Sequence, residues 1–169
     1  MIKAIVLDYG GVMTFGKGKS ELSDKLVANL NISADKAAEL VGPDNWRPYM
    51  RGLTSESEFW AKTEEMLGYK IGSDKRDVWN NWHEMKPEKS MVNLVNELRE
   101  QYIVGLLSNT IPPTSNDIRK NGGYDNFDFV ILSCEVKMAK PDMEIYELTM
   151  SKLTGVKPEE VIFIDDLEK

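Results

Sequence analysis

Five side chains stand where chemistry is expected. Asp8 follows the apolar run Ile2-Lys3-Ala4-Ile5-Val6-Leu7, Ser108 follows Tyr102-Ile103-Val104-Gly105-Leu106-Leu107, and Asp165-Asp166 follow Val161-Ile162-Phe163-Ile164. Lys140, before Pro141, supplies a cation. A carboxylate is a nucleophile, an acid–base group or a metal ligand, and a hydroxyl is a hydrogen-bond donor. Carboxylates gathered on one edge repel and raise one another's pKa values unless a cation sits among them. Taken singly, Asp8 could merely end a strand, Asp165-Asp166 could be a solvated acidic loop, and a lone Lys is ordinarily a surface charge.

Each run is short, rich in β-branched or large apolar residues, and stops at a polar residue, the pattern of a buried parallel strand. A fourth candidate runs from Phe127 to Leu132. Met91, Leu94, Val95 and Leu98 predict a helix before the second strand, and Tyr146, Met150 and Leu153 one before the last. Strand–helix alternation predicts an α/β fold: a Rossmann-like parallel sheet with helices on both faces. Ligands bind beyond the carboxyl ends of such strands, which gathers Asp8, Ser108 and Asp165 at one edge.

Some 75 residues between the first strand and Met91 carry no convincing strand. Leu22, Leu26 and Leu30 share one helical face, Phe59, Thr63, Met66 and Leu67 a second, and Val78, Trp82 and Met85 a third. Ser55 and Glu58 form a capping-box signature. The stretch is expected to be a small inserted helical bundle, and it holds all four Trp (46, 60, 79 and 82). They build its core, or one or two of them wall a substrate pocket. Gly16-Lys17-Gly18-Lys19 lacks P-loop spacing, and His83 is expected to be an ordinary helix residue.

The 169 residues suit one domain with an insert. With 21 basic and 28 acidic side chains, net charge −7, the chain is a poor match for a nucleic-acid backbone. The single Cys134 cannot form an internal disulfide, and the first apolar run is too short for a signal peptide or a membrane span. A cytoplasmic protein without a membrane partner is expected.

In order, Asp8-Tyr9-Gly10-Gly11-Val12, Ser108-Asn109, Lys140-Pro141 and Asp165-Asp166 resemble the four motifs of the haloacid dehalogenase-like hydrolases, the branch with a helical cap after the first strand. The resemblance implies a core of residues 1–13 and 88–169, with a cap of 14–87. It implies Asp8 as the nucleophile that forms an aspartyl-phosphate, Ser108 and Lys140 as catalytic and substrate-binding residues, and Asn109 as a substrate-binding helper. It implies Mg²⁺ on Asp8, the Gly10 carbonyl, Asp165 and Asp166, an ion suited to carboxylate, carbonyl and water ligands. Lys137 competes with Lys140 but lacks the following Pro, which is expected at the first position of the next helix. The implied activity is a Mg²⁺-dependent phosphatase acting on a small phosphorylated metabolite.

Two features depart from the family. Gly10 stands where most of its phosphatases carry an acid–base Asp, and a positive φ is a reason for glycine there. The sequence stops three residues after Asp166, where the family continues with a helix and usually a fifth strand. By the family's strand order (fourth, first, second, third), Val161–Ile164 is then an exposed apolar edge, with the C-terminal part of the core missing. A catalytically weak or inactive binding protein is one alternative. A 2-haloacid dehalogenase, which shares Lys140-Pro141 and Tyr146 but does not need Asp165-Asp166, is another.

Overall fold

The computed structural model describes residues 1–14, 19–80 and 85–167. Gly16-Lys17-Gly18, Trp82 and His83 lie outside them, as do the side chains of Lys19, Val78 and Trp79. Four strands, β1 (Ala4–Leu7), β2 (Ile103–Ser108), β3 (Phe129–Leu132) and β4 (Val161–Ile164), pair in parallel in the order β3-β2-β1-β4. That is the expected order of fourth, first, second, third.

Side chains alternate across a strand, so the central β1 feeds two cores. Ile5 and Leu7 pack with Val104, Leu106, Val95 and Ile118 on one face, and Ala4 and Val6 with Leu107, Ile131, Ile145 and Leu153 on the other. Val95 lies on α6 (Lys89–Leu98) and Ile118 on α7 (Pro112–Lys120); Ile145 lies on α9 (Met143–Lys152), which follows the short α8 (Ser133–Val136). Each buried Leu or Ile contributes about 1.5–3 kcal/mol, and burial of β1 on both faces holds Asp8 at a fixed point. β4 is an edge strand, as β3 is on the other side, and Ile162, Phe163 and Ile164 are exposed, as the sequence led one to expect.

Two helical stripes differ from the periodicity. On α9 the deepest residues are Ile145 and Thr149, while Tyr146 and Met150 are half-buried. On α6, Val95 is fully buried while Leu94 is exposed. Adjacent apolar residues on a helix cannot all face the sheet, and the sheet selects one phase.

Between β1 and α6 lie α1 (Lys19–Leu30), α2 (Ala34–Leu40), α3 (Trp46–Met50), α4 (Glu56–Leu67) and α5 (Ser73–Asn80). Leu22, Leu26, Leu30, Leu40, Tyr49 and Phe59 form their shared core. The box before α4 is made in full: Ser55 Oγ accepts from the Glu58 amide at 3.3 Å, and the Ser55 amide donates to Glu58 Oε2 at 2.7 Å. The two chain crossings between bundle and sheet meet where the Glu88 amide donates to the Met13 carbonyl at 2.9 Å.

Candidate active site

The ladder between β1 and β4 continues through Asp8, whose amide donates to the Ile164 carbonyl at 2.9 Å. Asp8 Oδ1 accepts from the Tyr9 amide at 2.7 Å, and Oδ2 lies 3.0 Å from Lys140 Nζ. The Ser108 hydroxyl, at the end of the neighbouring β2, also bonds Asp8. Lys140 Nζ reaches Asp165 Oδ2 at 2.7 Å and sits 5.3 Å from the Phe163 ring centroid. Its side chain is 2 % exposed. A buried ammonium needs paired charge, and two carboxylates at the strand ends supply it.

Asn109, expected as a helper to substrate, is hydrogen-bonded to the backbone of Lys140. Its Nδ2 donates to the Lys140 carbonyl at 2.9 Å, and its Oδ1 accepts from the Lys140 amide at 2.9 Å. Both ends of the amide hold the backbone that carries the lysine. Pro141 does not open α9: Asp142 is its N-cap and Met143 its first residue. Lys137 is exposed at the end of α8.

Burial pushes the Asp8 carboxyl above the ordinary carboxylate range; the Lys140 charge and the Ser108 hydroxyl oppose this, and the Asp165 charge adds to it. Oxygens of Asp8, Asp165 and Asp166 lie within 4.8 Å of one another. Three carboxylates against the one ammonium of Lys140 leave the cluster formally negative. Hard oxygen donors with that excess charge fit a small divalent cation that keeps several waters.

The loop after Asp8 is shaped by Gly11. It has φ +74°, and a Cβ there would fall on the Asp166 carboxylate. Gly10, by contrast, is not in the left-handed region, and a Cβ on it would meet only Met85 Cε at 3.5 Å. The conformational demand for glycine lies at position 11 and not, as expected, at 10.

Two spaces open beside the acidic cluster. A chamber of about 80 Å³ adjoins Asp8 and Ser108 and is walled by Tyr9, Trp46, Met85, Ile118 and Tyr124. A cleft of about 250 Å³ between bundle and sheet touches Lys140, Asn109 and Arg47. Trp46 borders both. Trp60 lies in the bundle core beneath the Arg76 guanidinium. Arg47 and Arg51 both pair with Asp142, Arg47 at 2.6 Å, and the Ser133 hydroxyl donates to the Met50 carbonyl at 2.8 Å, so α3 is tied to the sheet domain. Nothing in the local sequence marked Met85 or Asp142 as neighbours of the site; only the folded packing brings them there.

The fold is α/β: a parallel sheet with an acidic cluster and a buried lysine at its carboxyl edge, and a helical insert beside them. Residues 2–168 match the haloacid dehalogenase-like hydrolase family, and the chain belongs to it. It is 24% identical to the sesquiterpene phosphatase astK of Aspergillus oryzae over 97% of this chain and 80% of that protein. A HAD family enzyme of Bacteroides thetaiotaomicron, solved as a magnesium complex, superposes with TM-score 0.78 at 29% identity, covering 99% of this chain and 85% of that one. The same enzyme was solved with magnesium and inorganic phosphate. The L-2-haloacid dehalogenase of Xanthobacter autotrophicus shares the fold at TM-score 0.56 and 24% identity, covering 96% and 69%. No helix among the described residues is long and apolar enough to cross a membrane.

Proposed function

We propose that the protein is a Mg²⁺-dependent phosphatase that hydrolyses a small phosphorylated metabolite through an aspartyl-phosphate on Asp8. The observation that carries this reading is Lys140, buried and fixed between Asp8 and Asp165. A cation held there opposes the effect of burial on the Asp8 carboxylate and draws a dianionic phosphate towards it. Asp8 attacks phosphorus, an Asp8–phosphoryl bond forms, and the ester P–O bond breaks. The alcohol leaves and takes a proton from water. Water then attacks phosphorus, releasing inorganic phosphate and restoring the carboxylate. Ser108 holds a phosphoryl oxygen, and Asn109 keeps Lys140 in register. Magnesium on Asp8, the Gly10 carbonyl, Asp165 and Asp166 would neutralise charge on the transferring group. The magnesium complexes of the Bacteroides enzyme and the likeness to the Aspergillus sesquiterpene phosphatase support the reading.

The same reading divides the chain into a core of 1–13 and 88–169 and a cap of 14–87, supported by the Met13–Glu88 hydrogen bond at the crossings. The test is phosphate release from a panel of monoesters with and without Mg²⁺, for the wild type and Asp8→Asn. Turnover that needs both Mg²⁺ and Asp8 is expected. Release by Asp8→Asn at the wild-type rate refutes the nucleophile, and no release from any ester leaves a binding protein.

A further inference from the structure

We propose that the chamber beside Asp8 receives the organic part of the substrate, and that it selects an apolar group of about three to five carbons. The proposal rests on the phosphatase reading and names its substrate class. Three observations carry it.

The chamber is continuous with the reacting carboxylate, since Asp8 and Ser108 are part of its wall. A group bonded to a phosphoryl oxygen at Asp8 therefore has somewhere to go. The wall is mostly apolar, though Asn109, Thr110 and the Tyr124 hydroxyl, which is buried without a hydrogen-bond partner among the described residues, also belong to it. Tyr9 has its hydroxyl engaged with the Met85 carbonyl at 3.1 Å and turns its ring edge-on to Tyr124, with centroids 5.5 Å apart. Met85, Ile111 and Ile118 complete the surface, with Thr114 contributing a small side chain. Sugar hydroxyls moved into such a space lose water and find few matching partners, the Tyr124 hydroxyl among them, whereas methylenes gain by the transfer.

Gly10 then acquires a second meaning. A side chain there would project towards Met85 Cε, 3.5 Å from its Cβ, within the chamber wall. The absent side chain removes an expected acid–base group and leaves that part of the wall to the backbone. The volume, about 80 Å³, is roughly half that of the ~150 Å³ apolar cavity that takes up benzene, which sets the size of the group.

Alkylphosphonates test this directly, because their P–C bond survives the enzyme. Binding of inorganic phosphate and of methyl to octyl phosphonates is measured by calorimetry on the full chain with saturating Mg²⁺. Affinity is expected to rise about four-fold per methylene, the equivalent of ~0.8 kcal/mol, over the first few carbons and then to level off. Ile118→Trp, which fills the chamber, is expected to flatten the rise; if it does not fold, the wild-type series decides alone. Phosphate bound with a flat series, or a rise that continues unbroken to octyl, overturns the chamber and leaves the phosphatase reading standing. No binding by phosphate or any phosphonate overturns both.

Discussion

Replacing Gly11 by alanine separates two consequences of one methyl group. At φ +74° an L side chain costs about 1–2 kcal/mol. At this chain length that corresponds to a fall in melting temperature of roughly 3–8 °C. The new Cβ also falls on the Asp166 carboxylate, which must withdraw from its place beside Asp8 and Asp165. Asp166 is exposed, so the water limit of Coulomb's law applies: about 1 kcal/mol per pair of unit charges at 4 Å, hence ~2 kcal/mol for a divalent cation. The expected loss of Mg²⁺ affinity is roughly 30-fold. The matched control is Gly10→Ala, whose Cβ makes only an ordinary contact with Met85 and needs no left-handed φ. Thermal melting and calorimetric Mg²⁺ titration of the two variants form the assay. Gly11→Ala with wild-type melting and wild-type Mg²⁺ affinity, or Gly10→Ala as the more damaging change, would refute the reasoning.

Because no acid stands at position 10, phosphates of acidic leaving groups such as nitrophenol should be hydrolysed far faster than those of simple alcohols. Gly10→Asp should raise the slow substrates by roughly 10²–10⁴-fold, and rates independent of leaving-group acidity would contradict this. Glu64 accepts from Lys70, the Ile71 amide and Arg76, which together hold its carboxyl at about 2, below its ordinary 4.5. A depressed folded pKa contributes stability above the unfolded value that is lost as pH falls towards 2; Glu64→Gln should therefore lower the melting temperature at about pH 7 and converge with wild type on acidification. An equal gap at both ends would exclude the linkage. Asp142→Asn removes the partner of Arg47 and Arg51 and loosens α3 from the sheet domain. Half-exposed pairs are each worth about 0.2–1 kcal/mol, so melting should fall by a few degrees at low salt and less at high salt, and a shift indifferent to salt would argue against it.

The parts of the molecule that were legible in the sequence are those fixed by short-range pattern. β1, β2 and β4 read as continuous apolar runs that end at polar residues; β1 and β2 do so because the sheet is covered on both faces there, whereas β4 is apolar although Ile162, Phe163 and Ile164 are exposed. Their ends brought Asp8, Ser108 and Asp165 together before any packing was known. The phase of α9 was not legible, since Ile145 and Tyr146 are both apolar neighbours and only the sheet decides which one is buried. The clasp of Asn109 on Lys140 joins residues 31 apart, and the Arg47 bond to Asp142 spans 95, so neither leaves a local signature. Glycine doublets hide which member carries the strained φ; Gly11 is distinguished from Gly10 only by the Asp166 carboxylate above it.

The most direct measurement of the central proposal is chemical. The protein is mixed with Mg²⁺ and a nitrophenyl phosphate, quenched in acid within a single turnover, and its peptides are analysed by mass spectrometry. A phosphoryl group on the peptide bearing Asp8, absent from Asp8→Asn, is the expected result, and without a base at Gly10 the covalent species should accumulate as a burst. Steady phosphate release with no phosphorylated Asp8 at any quench time would contradict it.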